Sequence, residues 1–164
     1  MKCLPCIFVA SVAILAAVAG SVLILTDSLP FAKTPLPRTA IEFVTERGER
    51  DLVRVAYPMP QEGVTSPLVV SGEARGFWFF EASFPIVLVD WDGRIIAEHY
   101  AEAKSEWMTE DFVPFEGVLE FTRPFPENGE VPDFMRRGAL IIKKDNPSGL
   151  SEHDDSLEIP VVFK

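Results

Sequence analysis

Between positions 52 and 164 the chain carries twenty acidic residues against ten basic ones, and these carboxylates are the first groups to examine for catalysis. A glycosidase needs two of them held several ångströms apart across a sugar. Glu81, in an aromatic strand pattern, and the set Glu106, Glu110 and Asp111 around Trp107 are the candidates. Twenty acids produce near pairs by accident, however, and a glutamate in an amphipathic strand ordinarily faces solvent or satisfies a backbone donor. His99 and His153 are the only histidines, and their spacing gives no Ser-His-Asp or Cys-His arrangement. The expectation is a non-catalytic chain, with no catalytic residue assigned.

Metal chemistry fares no better. Asp90-x-Asp92-Gly93 starts like a calcium loop, but such a loop needs further oxygen ligands and a bidentate acid at its end, and Arg94-Ile95-Ile96 continues instead as a strand. A hairpin turn explains the same residues without an ion. His153-Asp154-Asp155 reads as a solvated loop between strands. Cys3 and Cys6 have C-x-x-C spacing but lack the second ligand pair of a zinc site and the βαβ setting of a redox motif. No metal site and no cofactor are expected.

The remaining candidates are aromatic. Flat rings suit sugar rings and protein epitopes alike. Trp78 sits in a strand pattern and belongs to the core. Trp91, in the Asp90–Gly93 turn, and Trp107, in the Ala103–Pro114 connection, are the candidate ligand-binding residues, because loops at the ends of a sandwich commonly bind. The plainer reading has both capping the open ends of the core.

Elements must hold these residues in place, and the hydrophobic period names them. Val53, Val55 and Tyr57 alternate with polar neighbours, as do Leu68, Val70, Gly72 and Ala74. Phe77–Val89 reads as a longer strand broken near Pro85, and Asp92-Gly93 links it to Arg94–Ala97. Phe115–Phe121, Leu140–Ile142 and Leu157–Phe163 complete a set of seven short strands without helical periodicity. That set predicts an all-β fold, an antiparallel β-sandwich of immunoglobulin type, over residues 52–164. No cysteine lies in this region, so the core must hold without a disulfide.

Ahead of the domain, Leu4–Leu25 contains no charged residue and is long enough as a helix to cross a bilayer. Residues 1–26 are read as a single transmembrane anchor. The alternative is a secretory signal peptide cut after Ala17-Val18-Ala19. Either reading places the domain on the extracytoplasmic side of the cell membrane, secreted if cleavage occurs. Residues 27–51, with Pro30, Pro35 and Pro37, read as an extended linker, with a short helical turn over Thr39–Glu49. The whole net charge of −10 belongs to the domain, which repels phosphate backbones and excludes nucleic acid as a partner.

Several stretches go beyond a pattern: Ser66-Pro67-Leu68-x-Val70-x-Gly72-x-Ala74-x-Gly76, then Trp78-Phe79-Phe80-Glu81-Ala82 and Asp92-Gly93. Phe112-Val113-Pro114-Phe115 and Asp145-Asn146-Pro147-Ser148 agree with them. Together they resemble the immunoglobulin-like domain of bacterial spore germination proteins over roughly Val53–Phe163. The resemblance implies an envelope-located β-sandwich that serves as an interaction module without catalytic residues. The function expected is therefore a membrane-anchored module engaging envelope proteins; the alternative is a binder of glycan or peptidoglycan through Trp91 and Trp107.

Overall fold

A computed structural model describes residues 41–42 and 44–164. The apolar run expected to span a membrane, and the first part of the linker, lie outside the described residues. Among those described, no helix is long and apolar enough to cross a membrane.

Among the described residues nine strands follow in chain order: β1 (Ile41–Glu42), β2 (Val53–Tyr57), β3 (Glu62–Val64), β4 (Leu68–Arg75), β5 (Ser83–Asp90), β6 (Ile95–Ala103), β7 (Phe112–Leu119), β8 (Arg137–Lys143) and β9 (Ser156–Phe163). They hydrogen-bond in the order β1-β2-β4-β7-β6-β5-β8-β9-β3. All seven expected strands are present in substance, and β1 and β3 are additional. All pairs are antiparallel except β3 with β9, which run parallel from Glu62 opposite Val161.

The continuity is thin at one point. β6 meets β7 only at Glu102–Glu116 and Ala103–Phe115, whereas β4 pairs with β7 over eight rungs. The sheet doubles over at this junction, and the inward residues of both halves share one core. Val70 and Ala74 of β4, Phe115 of β7, Phe84 and Ile86 of β5, and Ile159 of β9 all belong to it. Phe84 and Phe115 meet edge to face at 4.9 Å, a geometry that favours the aromatic quadrupoles. Trp78 is fully buried, as its strand pattern implied.

Two local expectations need correction. Phe77–Val89 is not one strand: Gly76–Trp78 is a 3-10 turn, and Glu81 and Ala82 have φ of 49° and 63°. β5 starts only at Ser83. Pro85 then sits inside β5 rather than breaking it. The β5–β8 ladder begins one residue later, at Ile86, so a proline without an N–H is tolerated there. The Thr39–Glu49 stretch is not helical where it is described. Ile41–Glu42 pairs with β2, and Thr45 is buried in a turn closed by Gly48 N–H donating to Thr45 O at 2.8 Å. Glu46 N–H donates to Ser156 O at 2.8 Å. The end of the expected linker is thus bonded to β2 and β9 rather than extended from the domain.

Candidate functional site

A strand with one buried face alternates apolar and polar residues; one buried on both faces is apolar throughout. β5 reads Ile86-Val87-Leu88-Val89 and β8 reads Ala139-Leu140-Ile141-Ile142, so both break the alternation. Ile86, Leu88, Leu140 and Ile142 point into the main core. Val87, Val89 and Ala139 point the other way and form a separate small cluster that is itself buried, 5–9% exposed, with the partly buried Ile141 packed against it. On this outer face no second sheet covers them among the described residues.

The β5–β6 hairpin builds one wall of that face. Asp90, only 6% exposed, accepts hydrogen bonds at Oδ1 from the backbone N–H of Asp92 (3.0 Å) and of Arg94 (2.9 Å). Its Oδ2 meets the Arg94 guanidinium at 3.1 Å. Gly93 takes φ of 77°, the left-handed conformation that closes a three-residue hairpin loop. The carboxylate that resembled a calcium ligand therefore organises the turn. Among the described residues, no three His, Cys, Asp or Glu side chains converge as metal ligands.

This braced turn presents Trp91, which is 47% exposed. A 3-10 turn at Asp133–Arg136 brings Phe134, 48% exposed, to meet it edge to face at 4.9 Å and 83°. Trp91 and Phe134 border a shallow groove of about 550 Å³ whose floor is Val89, Ala139 and Ile141, with Arg137 and Glu158 on the rim. Ile95, 58% exposed and opposite Val89, extends the apolar surface onto β6. The groove combines aromatic edges, an aliphatic floor and a few polar groups, a composition suited to protein or ligand contacts.

Trp107 has a different setting. It is half-buried and packs against the main core, and its carbonyl crowds Gly76, where a Cβ would come within 2.4 Å of it. Ala103 N–H donates to Ala82 O, so the Trp107 connection lies at the start of β5 while Trp91 lies at its end. Eight strand residues separate the two ends, roughly 25 Å. The structure does not bring Trp91 and Trp107 together; Trp91 has Phe134 for its neighbour.

The carboxylate candidates are likewise dispersed. Glu81 lies exposed in the turn before β5, and Glu106 Oε1 accepts the backbone N–H of Met108 at 3.2 Å. Asp154 accepts the Asn146 amide at 2.7 Å, and Asp155 accepts the N–H of Arg47 and of Ser156. On the outer face of the other half-sheet, Asp51 bridges the Arg54 and Arg75 guanidiniums, the latter at 2.6 Å. Both guanidinium carbons sit within 4.0 Å of the Phe112 ring centroid, a cation–π arrangement. Partial desolvation works to raise the Asp51 pKa, but hydrogen bonds from Arg54 and Arg75, with their charges, outweigh it and hold the carboxyl below its usual value.

Phe134 and the outer residues of β5 and β8 escape a reading that looks for reactive side chains. The available signal was the pair of four-residue apolar runs, which alternation cannot explain. A family model described as the immunoglobulin-like domain of bacterial spore germination matches residues 52–134. No curated protein and no solved structure matches the chain. The matched span ends at Phe134, before β8 and β9, although β8 pairs with β5 in the middle of the sheet.

Proposed function

This chain belongs to the immunoglobulin-like domain family of bacterial spore germination, and from that premise we propose that it is a non-catalytic interaction module held at the outer side of the cell membrane. Its partner is an envelope protein, and its contact surface is the outer face of β5 and β8. The observation that carries the reading is the exposed Trp91–Phe134 pair, with exposed Ile95 beside it, over the small buried cluster of Val87, Val89 and Ala139. Exposed apolar surface rimmed by polar residues marks interaction sites, because covering it recovers hydrophobic free energy. A preformed groove on rigid strands also loses little entropy when a partner docks. The membrane location rests on the apolar run Leu4–Leu25.

Trp91 also supports a second reading, in which a glycan stacks on its ring and Phe134 fixes the ring's orientation. One experiment separates the two. A photo-crosslinking side chain is placed at Ile95 or Phe134 of the full-length chain in its native envelope, with Glu152 as the control position. A protein adduct from the first two positions that disappears with Trp91→Ala supports the protein-binding reading. Co-sedimentation of the chain with purified peptidoglycan, lost with Trp91→Ala, supports the glycan. If Trp91→Ala changes neither result, this face is not the working surface.

A further inference from the structure

The junction where the sheet doubles over leaves a strand edge open. β6 is nine residues long and pairs with β5 from Glu102 to Ile95, yet its β7 ladder consists of two rungs at Glu102 and Ala103. Among the described residues, no strand pairs with the other edge of β6 from Ile95 to His99, while Gly117 of β7 already closes against Tyr100 O and Ala101. Free edges are ordinarily kept short or blunted with lysine or proline, because unpaired N–H and C=O groups recruit further strands. The two strands that end the sheet order follow this rule: β1 has two residues and β3 has three. β6 is long and contains neither lysine nor proline.

The side chains along this edge specify the occupant. Glu98 and Glu102 on β6 face a cleft shared with Glu116 and Glu120 of the β7 side, which Lys104 and His99 also line. Lys104 is already engaged with Glu116 at 3.4 Å. Glu102 and Glu116 stand directly opposite each other in the last rung, an unfavourable like-charge pair. On the other face of β6, Ala97 and Ala101 lie opposite the core residues Leu88 and Phe84. A strand laid along β6 would therefore meet Glu98, Tyr100 and Glu102 with one set of alternate side chains and Ala97 and His99 with the other.

We propose that the free edge of β6 is a strand-addition site for an extended segment of a partner protein in which basic and apolar residues alternate. The added segment hydrogen-bonds to the β6 backbone, and its lysines or arginines relieve the Glu98, Glu102, Glu116 and Glu120 repulsion. Backbone pairing supplies the binding energy, and the alternate side chains supply the register. This site meets the Trp91 groove only at Ile95 and does not depend on the function assigned to that groove.

The test uses the full-length chain and a synthetic peptide alternating valine and lysine over about nine residues, the length of β6. Binding is followed by fluorescence polarisation and by amide hydrogen exchange. The expected result is slowed exchange for amides between Ile95 and His99. N-methylating one set of alternate peptide amides should abolish binding, and methylating the other set should not. Glu98→Lys with Glu102→Lys should weaken binding by about tenfold or more, as expected when charges facing a bound strand are reversed. Trp91→Ala should leave the peptide's affinity unchanged, which separates this site from the groove. The proposal is overturned if the peptide fails to bind at about 1 mM, or if binding is indifferent to methylation, since that would be charge adhesion without strand pairing.

Discussion

The two faces of β5 and β8 are built from the same kinds of residue and have different fates. Ile86, Leu88, Leu140 and Ile142 are closed over by the opposite half of the sheet, whereas Val87, Val89 and Ala139 are buried only in a small cluster of their own, with Ile141, beside the exposed Trp91 and Phe134. Hydrophobicity alone does not distinguish a structural face from a working one. The difference is whether a second layer of sheet covers the face, so a substitution on the inner face should be read out in stability and one at the exposed Trp91 or Phe134 in binding.

Truncating the inner side is the most damaging way to probe this contrast. Trp78→Ala should cost about 3–5 kcal/mol and Leu88→Ala about 2–5 kcal/mol, since both side chains are fully buried and the cavities left behind cannot collapse completely. Urea denaturation followed by tryptophan fluorescence or circular dichroism measures both; a Leu88→Ala protein as stable as the parent would mean that the assigned inner face is not the core. Gly76→Ala comes next. A Cβ there would lie 1.9 Å from Thr109 O and 2.4 Å from Trp107 O, both backbone atoms, so the Trp107 connection must shift at about 1–3 kcal/mol, readable in the same titration.

Trp91→Ala tests the outer side. Losing its edge-to-face contact with Phe134 should remove no more than about 0.5–1.5 kcal/mol of stability, while abolishing the crosslink or sedimentation assigned to this face. A large stability loss without a binding defect would make Trp91 a core cap and erase the distinction between the faces. Asp51 provides the smallest effect, away from both. Its lowered pKa means that the Arg54 and Arg75 contacts stabilise the fold at and above the ordinary value of 3.8, and that this contribution disappears as pH falls through the lower folded-state value. Asp51→Asn should therefore flatten the acid limb of a stability–pH curve while leaving neutral-pH binding intact.

The all-β class and the inward positions of β2, β4 and β9 were legible because one-sided burial leaves a period of two in Val53–Val55, Leu68–Ala74 and Leu157–Phe163. The Asp92-Gly93 turn was legible because a left-handed residue is needed there. β3 and β1 were not: three and two residues are too few to show a period. The Phe77–Ala82 stretch was misread as strand because its aromatics fit a strand pattern, whereas the chain turns through two residues of positive φ.

Trp91 was identified as a candidate because turn residues at the end of a sandwich are accessible. Its pairing with Phe134, 43 positions away, was not, since β8 carries that segment to the hairpin only after the sheet has formed. The sequence by itself determined which residues repeat with the period of a strand, where turns interrupt them and how the acidic charge is distributed, because these depend on local backbone preference and composition. Tertiary structure alone decided which apolar face found a second layer of sheet, which tryptophan stayed exposed and which strand edge was left unpaired. Those outcomes depend on how the sheet doubles over at β6 and β7, a long-range arrangement that no local pattern encodes.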